Sequence, residues 1–208
     1  MMTITDIVPK RKKLSAIYID GEFAIKLDTE TVLASRFSVG SEITDDELKE
    51  LIDASNEKRA KEKALWLISY RDHSKRELEE KIRRTSDKDS AAKAVERMEE
   101  LGLVNDEKYA RRYCEELIFH KHLSKKGAMY KLSEKGIDKD LASEILDELD
   151  PNPREHIAII LDKKYKSVLN TEKGRRRAVS ALQRMGYSWG DINAVLSEYD
   201  TEDNTYEF

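Results

Sequence analysis

Basic residues form the most suggestive clusters in this sequence. The candidate contact residues are Arg111, Arg112, Lys125, Lys126, Arg175, Arg176 and Arg177. Several of them fall at predicted helix starts, where positive charge opposes the helix dipole, so helix stability does not explain them. Clusters of this kind bind acidic protein surfaces or nucleic-acid phosphates. The alternative is a solvated face of scattered charge with no partner.

Residues that could support catalysis do not converge in the sequence. His120 and His122 are two positions apart, and on a helix this spacing points them to different faces. Cys114 lies mid-helix without a neighbouring base, which favours a small core side chain. The glycines are isolated, so the phosphate-binding loop of nucleotide hydrolases is missing. We therefore expect no enzyme activity, no metal site and no cofactor.

Composition indicates an intracellular, mostly helical protein. The 208 residues carry 38 Lys and Arg against 42 Asp and Glu, a formal net charge of −4. Only eight Gly and three Pro are present, too few for a turn-rich β-sandwich, and the single Cys excludes a disulfide framework. The longest apolar run, residues 64–68, is far shorter than the roughly 20 residues of a membrane span. No secretory signal begins the sequence, so we expect a cytoplasmic location.

The first 41 residues differ from the rest because apolar and polar positions alternate. Asp20-Gly21 fits a type I′ turn between two strands, and Ile4 to Val8 is a candidate third strand. A short helix is expected from Thr29 to Arg36. We therefore assign residues 1–41 to a β-hairpin or meander, and residues 42–56 to an acidic connecting helix that begins with a capping box at Thr44–Glu47.

The remaining sequence carries a weak internal repeat. In two places a glycine leads through a cap into an apolar helix that ends thirteen residues later, from Gly136 to Leu149 and from Gly186 to Tyr199. Each such segment follows two further predicted helices. The predicted repeats cover residues 57–105, 106–150 and 151–199, which we call the first, second and third repeats, and residues 200–208 form an acidic tail. The fold class is mainly α, with the three-helix repeats stacked into an elongated, curved body.

Two aromatic pairs lie at helical i, i+4 spacing on the first helices of successive repeats. They are Trp66 with Tyr70, and Tyr109 with Tyr113. Core packing is the favoured interpretation, because equivalent positions in two repeats point to a structural role. Stacking on nucleic-acid bases is the alternative.

These segments, in their order and spacing, resemble the bacterial RecX family over residues 4–199. The resemblance rests on residues 17–22 of the hairpin, residues 64–71 followed by Ser74 and Glu77, residues 101–107 leading into residues 109–113, and the turn at residues 135–138. Three places depart from the family pattern: the loop near Thr85 lacks a glycine, Asp72-His73 replaces a common proline, and residues 122–127 replace a turn rich in Pro, Arg and Gly.

The resemblance implies a monomeric regulator of the RecA recombinase. Family members bind RecA and the filament that RecA forms on single-stranded DNA, mostly inhibit its ATPase and strand exchange, and act in the control of recombination, DNA repair and the SOS response. Some members also touch DNA, which leaves a weak direct contact with DNA open. The basic residues named above are then the candidate contacts to RecA or DNA.

Two other classes of protein remain open on the sequence. Three-helix repeats with basic helix starts also describe direct nucleic-acid-binding modules, although the overall acidity counts against this class. A repeat scaffold for some other protein is the third possibility.

Overall fold

The computed structural model describes residues 1–149 and 151–203. The chain divides into two compact units, Met1–Asn105 and Asp106–Phe208. The first unit contains a small antiparallel sheet and four helices, and the described part of the second is helical. The predicted fold class, mainly α after a small N-terminal sheet, is confirmed.

The sheet contains the predicted meander and one further short strand. Its strands are β1 (Met2–Lys10), β2 (Leu14–Ile19), β3 (Glu22–Asp28) and β4 (Glu42–Ile43), in the order β3-β2-β1-β4. Asp20 and Gly21 both have positive φ, 51° and 87°, as a type I′ turn requires. Sequence patterning misses β4 because two residues are too few to show alternation.

The sheet joins the helices of the first unit through Asp28. Asp28 caps α1 (Thr29–Ala34), accepts a hydrogen bond from the Thr31 backbone N–H, and receives the Lys58 ammonium at 2.8 Å. Lys58 lies on α2 (Asp45–Tyr70), which starts with the predicted capping box at Thr44. The boundary predicted between residues 56 and 57 falls inside this single continuous helix.

The first repeat is completed by two helices that pack on the second half of α2. They are α3 (Lys75–Ile82), capped by Ser74, and α4 (Lys88–Glu100), capped by Asp87. Gly102 follows α4 with φ of 68°, the left-handed conformation that ends many helices. The small buried residues Ala60, Ala64, Ala91 and Ala94 form much of this core and let α2 and α4 pack together.

The second unit contains the second and third repeats. Its helices are α5 (Asp106–Glu115), α6 (Lys125–Glu134), α7 (Lys139–Leu149), α8 (Pro153–Lys164), α9 (Glu172–Arg184) and α10 (Trp189–Asp203). A π-helical turn, Glu116–His120, follows α5, and a 3₁₀ turn, Lys166–Val168, follows α8. Helix α10 includes residues 200–203 of the predicted tail, and residues 204–208 lie outside the described residues.

Each repeat of the second unit has its own apolar core. Cys114 is fully buried among Leu117, Leu132 and Ile145 in the second repeat, which confirms its predicted core role. Burial raises the pKa of its thiol to about 11. The third repeat packs Ile157, Leu161, Leu182 and further apolar residues in the same manner.

The two aromatic pairs differ in their surroundings. Tyr109 and Tyr113 are half-buried and pack against the core of the second repeat, as predicted. Trp66 and Tyr70 are 50% and 72% exposed, so the prediction of core packing is wrong for this pair. Helix α4 packs against the face of α2 that carries Ala60, Ala64 and Leu67, and Trp66 and Tyr70 lie outside this face.

Candidate functional site

Four cations line one groove in the third repeat. Lys173, Arg176, Arg177 and Arg184 project from α9, and Tyr165, which follows α8, lines the opposite part. The groove has a volume of about 680 Å³ and includes one carboxylate, Glu172, which pairs with Arg176. The α9 positions follow helical spacing, so they share one face. This arrangement can hold an anionic group such as a carboxylate or phosphate.

The groove is positioned by a tight contact at the start of α9. Thr171 caps the helix by accepting a hydrogen bond from the Gly174 N–H at 3.1 Å. A Cβ atom on Gly174 would collide with the backbone of Val168, so only glycine lets the 3₁₀ turn lie this close. The turn brings Tyr165 beside the basic face of α9.

Lys125 and Lys126 lie in a different cavity, at the start of α6. This cavity has a volume of about 450 Å³ and is lined also by Leu123, His156 and Tyr187. Ser124 caps α6 by accepting from the Gly127 N–H, and it donates both its N–H and its hydroxyl to the Met185 carbonyl at 3.1 Å. This cavity therefore lies at the junction of the second and third repeats.

Two histidines meet at the same junction. The rings of His122 and His156 are edge-to-face with centroids 5.3 Å apart, and His156 is buried. Burial lowers the pKa of His156, and burial together with nearby His156, Lys163 and Lys164 lowers the pKa of His122. Both side chains are therefore neutral near pH 7.

The other predicted contact residues are arranged less favourably. Arg111 donates hydrogen bonds to Glu148 on α7 at 2.5 Å and to Glu107 at 3.3 Å. Its positive charge is therefore largely neutralised by carboxylates of the second repeat. Lys125 reaches the neighbouring Asp147 at 3.4 Å. Arg112 is exposed and Arg175 is half-buried. The structure thus brings Arg176 and Arg177 together in one groove and Lys125 and Lys126 in another. Neither cavity is lined by Arg111, Arg112 or Arg175.

In the first repeat, basic residues at the equivalent helix start are already paired. Lys75 bonds to Glu99 at 2.9 Å and Arg76 to Glu80 at 3.0 Å. Exposed pairs of this type contribute little to stability, but they reduce the net positive charge offered to a partner. The third-repeat groove, by contrast, has four basic side chains and one carboxylate.

Sequence reasoning missed Tyr165, Arg184 and His156. Arg184 lies seven residues after Arg177, a spacing that places both on one helix face, so the signal was present. Tyr165 and His156 reach their cavities only through packing between helices, which no local sequence pattern predicts.

Within the described residues, no cluster of three or more His, Cys, Asp or Glu side chains could hold a metal ion. None of the helices described is long and apolar enough to cross a bilayer.

The fold and the basic grooves define a helical-repeat protein with a small N-terminal sheet. A scan of protein-family models gives no match. The chain is 30% identical to a regulatory protein RecX of Clostridium acetobutylicum, over 97% of this chain and 98% of that relative. It is 28% identical to the RecX proteins of Clostridium beijerinckii and Bacillus subtilis, over 95% and 99% of this chain and 92% and 81% of theirs. The chain belongs to the RecX family of regulatory proteins.

Solved structures support the same fold. A crystal structure of regulatory protein RecX has a TM-score of 0.61 at 18% identity, covering 94% of this chain and 98% of the other. RecX from Lactobacillus salivarius has a TM-score of 0.56 at 23% identity, covering 71% of this chain and 99% of the other. At these identities the match concerns the fold alone.

Proposed function

We propose that this protein binds the RecA recombinase and its filament on single-stranded DNA, and that it inhibits RecA ATPase, filament growth and strand exchange. Its relatives are named regulatory proteins RecX, and this role follows the family resemblance. The observation that carries the proposal is the basic groove of the third repeat, where Arg176 and Arg177 lie with Lys173 and Arg184.

The mechanism needs binding and no covalent step. A protein that binds one state of the filament better than another shifts the balance between growth and disassembly by mass action. Complementary charge speeds the encounter and sets the orientation of the complex. The protein acts in the cytoplasm as a monomer without a cofactor, and its direct contact with DNA in this role is weak.

The contact face comprises all seven basic residues, with unequal contributions. The third-repeat residues Arg175, Arg176 and Arg177 are the main contacts. Arg176 and Arg177 lie in a groove that concentrates positive charge around a single carboxylate, and Arg175 lies between Gly174 and Arg176 on the same helix. Lys125 and Lys126 form a second contact at the start of α6. Arg111 and Arg112 contribute least, since Arg111 is held by two glutamates of its own repeat.

The first experiment measures DNA-dependent ATP hydrolysis by RecA from the same organism while this protein is titrated well below one copy per RecA. Inhibition at that ratio is expected if the protein acts on filament growth or filament ends. No inhibition even at equimolar protein would reject the proposal.

A charge-reversal pair then tests the contact face. Arg176→Glu with Arg177→Glu should weaken inhibition and reduce its dependence on salt, while the helical content stays unchanged. Arg154→Glu is the matched control, because Arg154 is an exposed arginine of the same repeat and is not among the residues that line the groove. Equal loss of inhibition in both variants would show a general charge effect and contradict this assignment.

A further inference from the structure

Trp66 and Tyr70 form an exposed aromatic pair that the first-unit core does not use. Their rings meet edge-to-face with centroids 4.7 Å apart, and at least half of each residue is exposed. Large exposed aromatic side chains are costly to leave in water, so a pair on one helix face indicates a contact surface.

Two basic residues extend this pair along the same helix face. Arg59, Lys63, Trp66 and Tyr70 are spaced by four, three and four residues, which places them on one stripe of α2. The Lys63 ammonium lies 3.9 Å from the centre of the Trp66 ring. Arg59, Lys63 and Trp66 directly precede the buried residues Ala60, Ala64 and Leu67. The packing of these buried residues therefore fixes the stripe beside the core of the first repeat. The stripe is about 16 Å long at the rise of an α-helix.

The charge of α2 changes sign along its length. Its first half, residues 45–56, carries five acidic residues and one lysine, whereas residues 57–70 carry four basic residues and two glutamates. The aromatic pair is on the basic half. Lys58 pairs with Asp28 and Glu30, and Lys61 pairs with Glu57. The other two basic residues, Arg59 and Lys63, are the bases of the stripe.

We propose that this stripe binds single-stranded nucleic acid, with bases stacked on Trp66 and Tyr70 and phosphates near Arg59 and Lys63. Aromatic platforms next to basic side chains are the common means by which proteins hold single strands without reading sequence. In a double helix the bases stack on each other, so they are not available to stack on Trp66 and Tyr70. The inference requires no RecA, so its test is independent of the regulatory role proposed above.

Fluorescence of a single tryptophan tests the stacking directly. The chain has two tryptophans, and Trp189→Phe leaves only Trp66. Titration of this variant with an oligothymidylate of roughly 16 nucleotides, without RecA, should quench its fluorescence to saturation. The reciprocal variant, Trp66→Phe, should bind a labelled oligonucleotide with similar affinity, measured by fluorescence anisotropy, because phenylalanine still stacks on bases. The fluorescence of its remaining tryptophan, Trp189, should not be quenched.

Substitution of the platform measures its contribution. Trp66→Leu with Tyr70→Leu should weaken oligonucleotide binding roughly tenfold or more, while the exposed positions leave the thermal unfolding nearly unchanged. Arg59→Gln with Lys63→Gln should reduce the slope of log affinity against log salt by about 1.4, the value for two phosphate contacts on a single strand.

Two results would overturn the inference. One is the absence of saturable quenching in the Trp189→Phe protein. The other is unchanged affinity of the double-leucine variant for the oligonucleotide. If the first result came together with loss of RecA inhibition in the double-leucine variant, the stripe would be assigned to a protein partner.

Discussion

The buried Tyr187 hydroxyl donates a hydrogen bond to the main-chain carbonyl of His122, 2.8 Å away and 65 residues earlier in the chain. Burial raises the pKa of Tyr187, so the hydroxyl remains a donor throughout the physiological range. The bonds from Ser124 to Met185 lie at the same junction. The second and third repeats are therefore joined by specific polar contacts.

The close approach at this junction depends on Gly127. A Cβ atom there would lie far inside van der Waals contact with the Met185 carbonyl oxygen, which is backbone and cannot rotate away. We expect Gly127→Ala to destabilise the protein by about 2 kcal/mol through overpacking. Chemical denaturation monitored by circular dichroism measures the change.

Gly190 is the matched control because it also lies in the first turn of a helix. Its nearest contact for an added Cβ is the Ser188 hydroxyl at 3.8 Å. Gly190→Ala should leave stability unchanged or raise it by up to about 1 kcal/mol, the helix preference of alanine over glycine. Similar changes in the free energy of unfolding for the two variants would show that the junction accommodates the added methyl group at little cost.

The burial of His156 predicts a pH-dependent stability. Burial lowers the pKa of His156 below its usual value of 6.5, so the unfolded chain takes up a proton at a higher pH than the folded protein. Stability should therefore fall as the pH drops through about 6.5 towards the folded-state pKa. Of the charged groups near the pair, Lys163 and Lys164 lower the pKa of His122, and Glu155 opposes the shift at His156.

Thermal melts from about pH 8 to about pH 5 test this dependence. His156→Gln removes one titrating group and should flatten the curve in the acidic range. His120→Gln is the control, because His120 is exposed and should leave the curve nearly unchanged. Parallel curves for wild type and His156→Gln would contradict the role assigned to burial.

Asp28 should contribute more to stability than an ordinary helix cap. Burial alone would raise the pKa of Asp28, but hydrogen bonds from Lys58 and Thr31 outweigh burial and hold it below its usual range. Asp87 caps α4 in the same manner at an exposed position. We expect a loss of about 1 kcal/mol for Asp87→Ala and about 2–3 kcal/mol for Asp28→Ala, measured by urea unfolding. Equal losses would mean that the contact with Lys58 adds nothing.

Arg184 should act with the predicted contact residues if the third-repeat groove binds RecA. Arg184→Glu is expected to raise the concentration needed for half-inhibition of the RecA ATPase by roughly threefold or more. Gln183→Glu, a charge change at the adjacent exposed residue, should have a smaller effect because Gln183 is not among the groove-lining residues. A larger effect of Gln183→Glu would argue for a different face.

Local features of this protein were determined by the sequence alone. Asp20-Gly21 specifies its turn, Thr44 and Ser74 start their helices, and Gly102 follows the end of α4, because each acts on backbone groups within a few residues. Most of the order of elements could be predicted for the same reason, except for the two-residue strand β4 and the continuity of α2 across residues 56 and 57.

Exposure and side-chain pairing were decided by the tertiary structure. Trp66 and Tyr109 occupy equivalent positions in their repeats, yet Trp66 is half exposed and Tyr109 packs on a core. Arg111 pairs with Glu148, 37 residues away, and Arg176 shares a groove with Tyr165 from the preceding helix. These outcomes depend on which helix faces meet, and that is set by the volumes of core side chains on several helices together, a quantity that no local pattern contains.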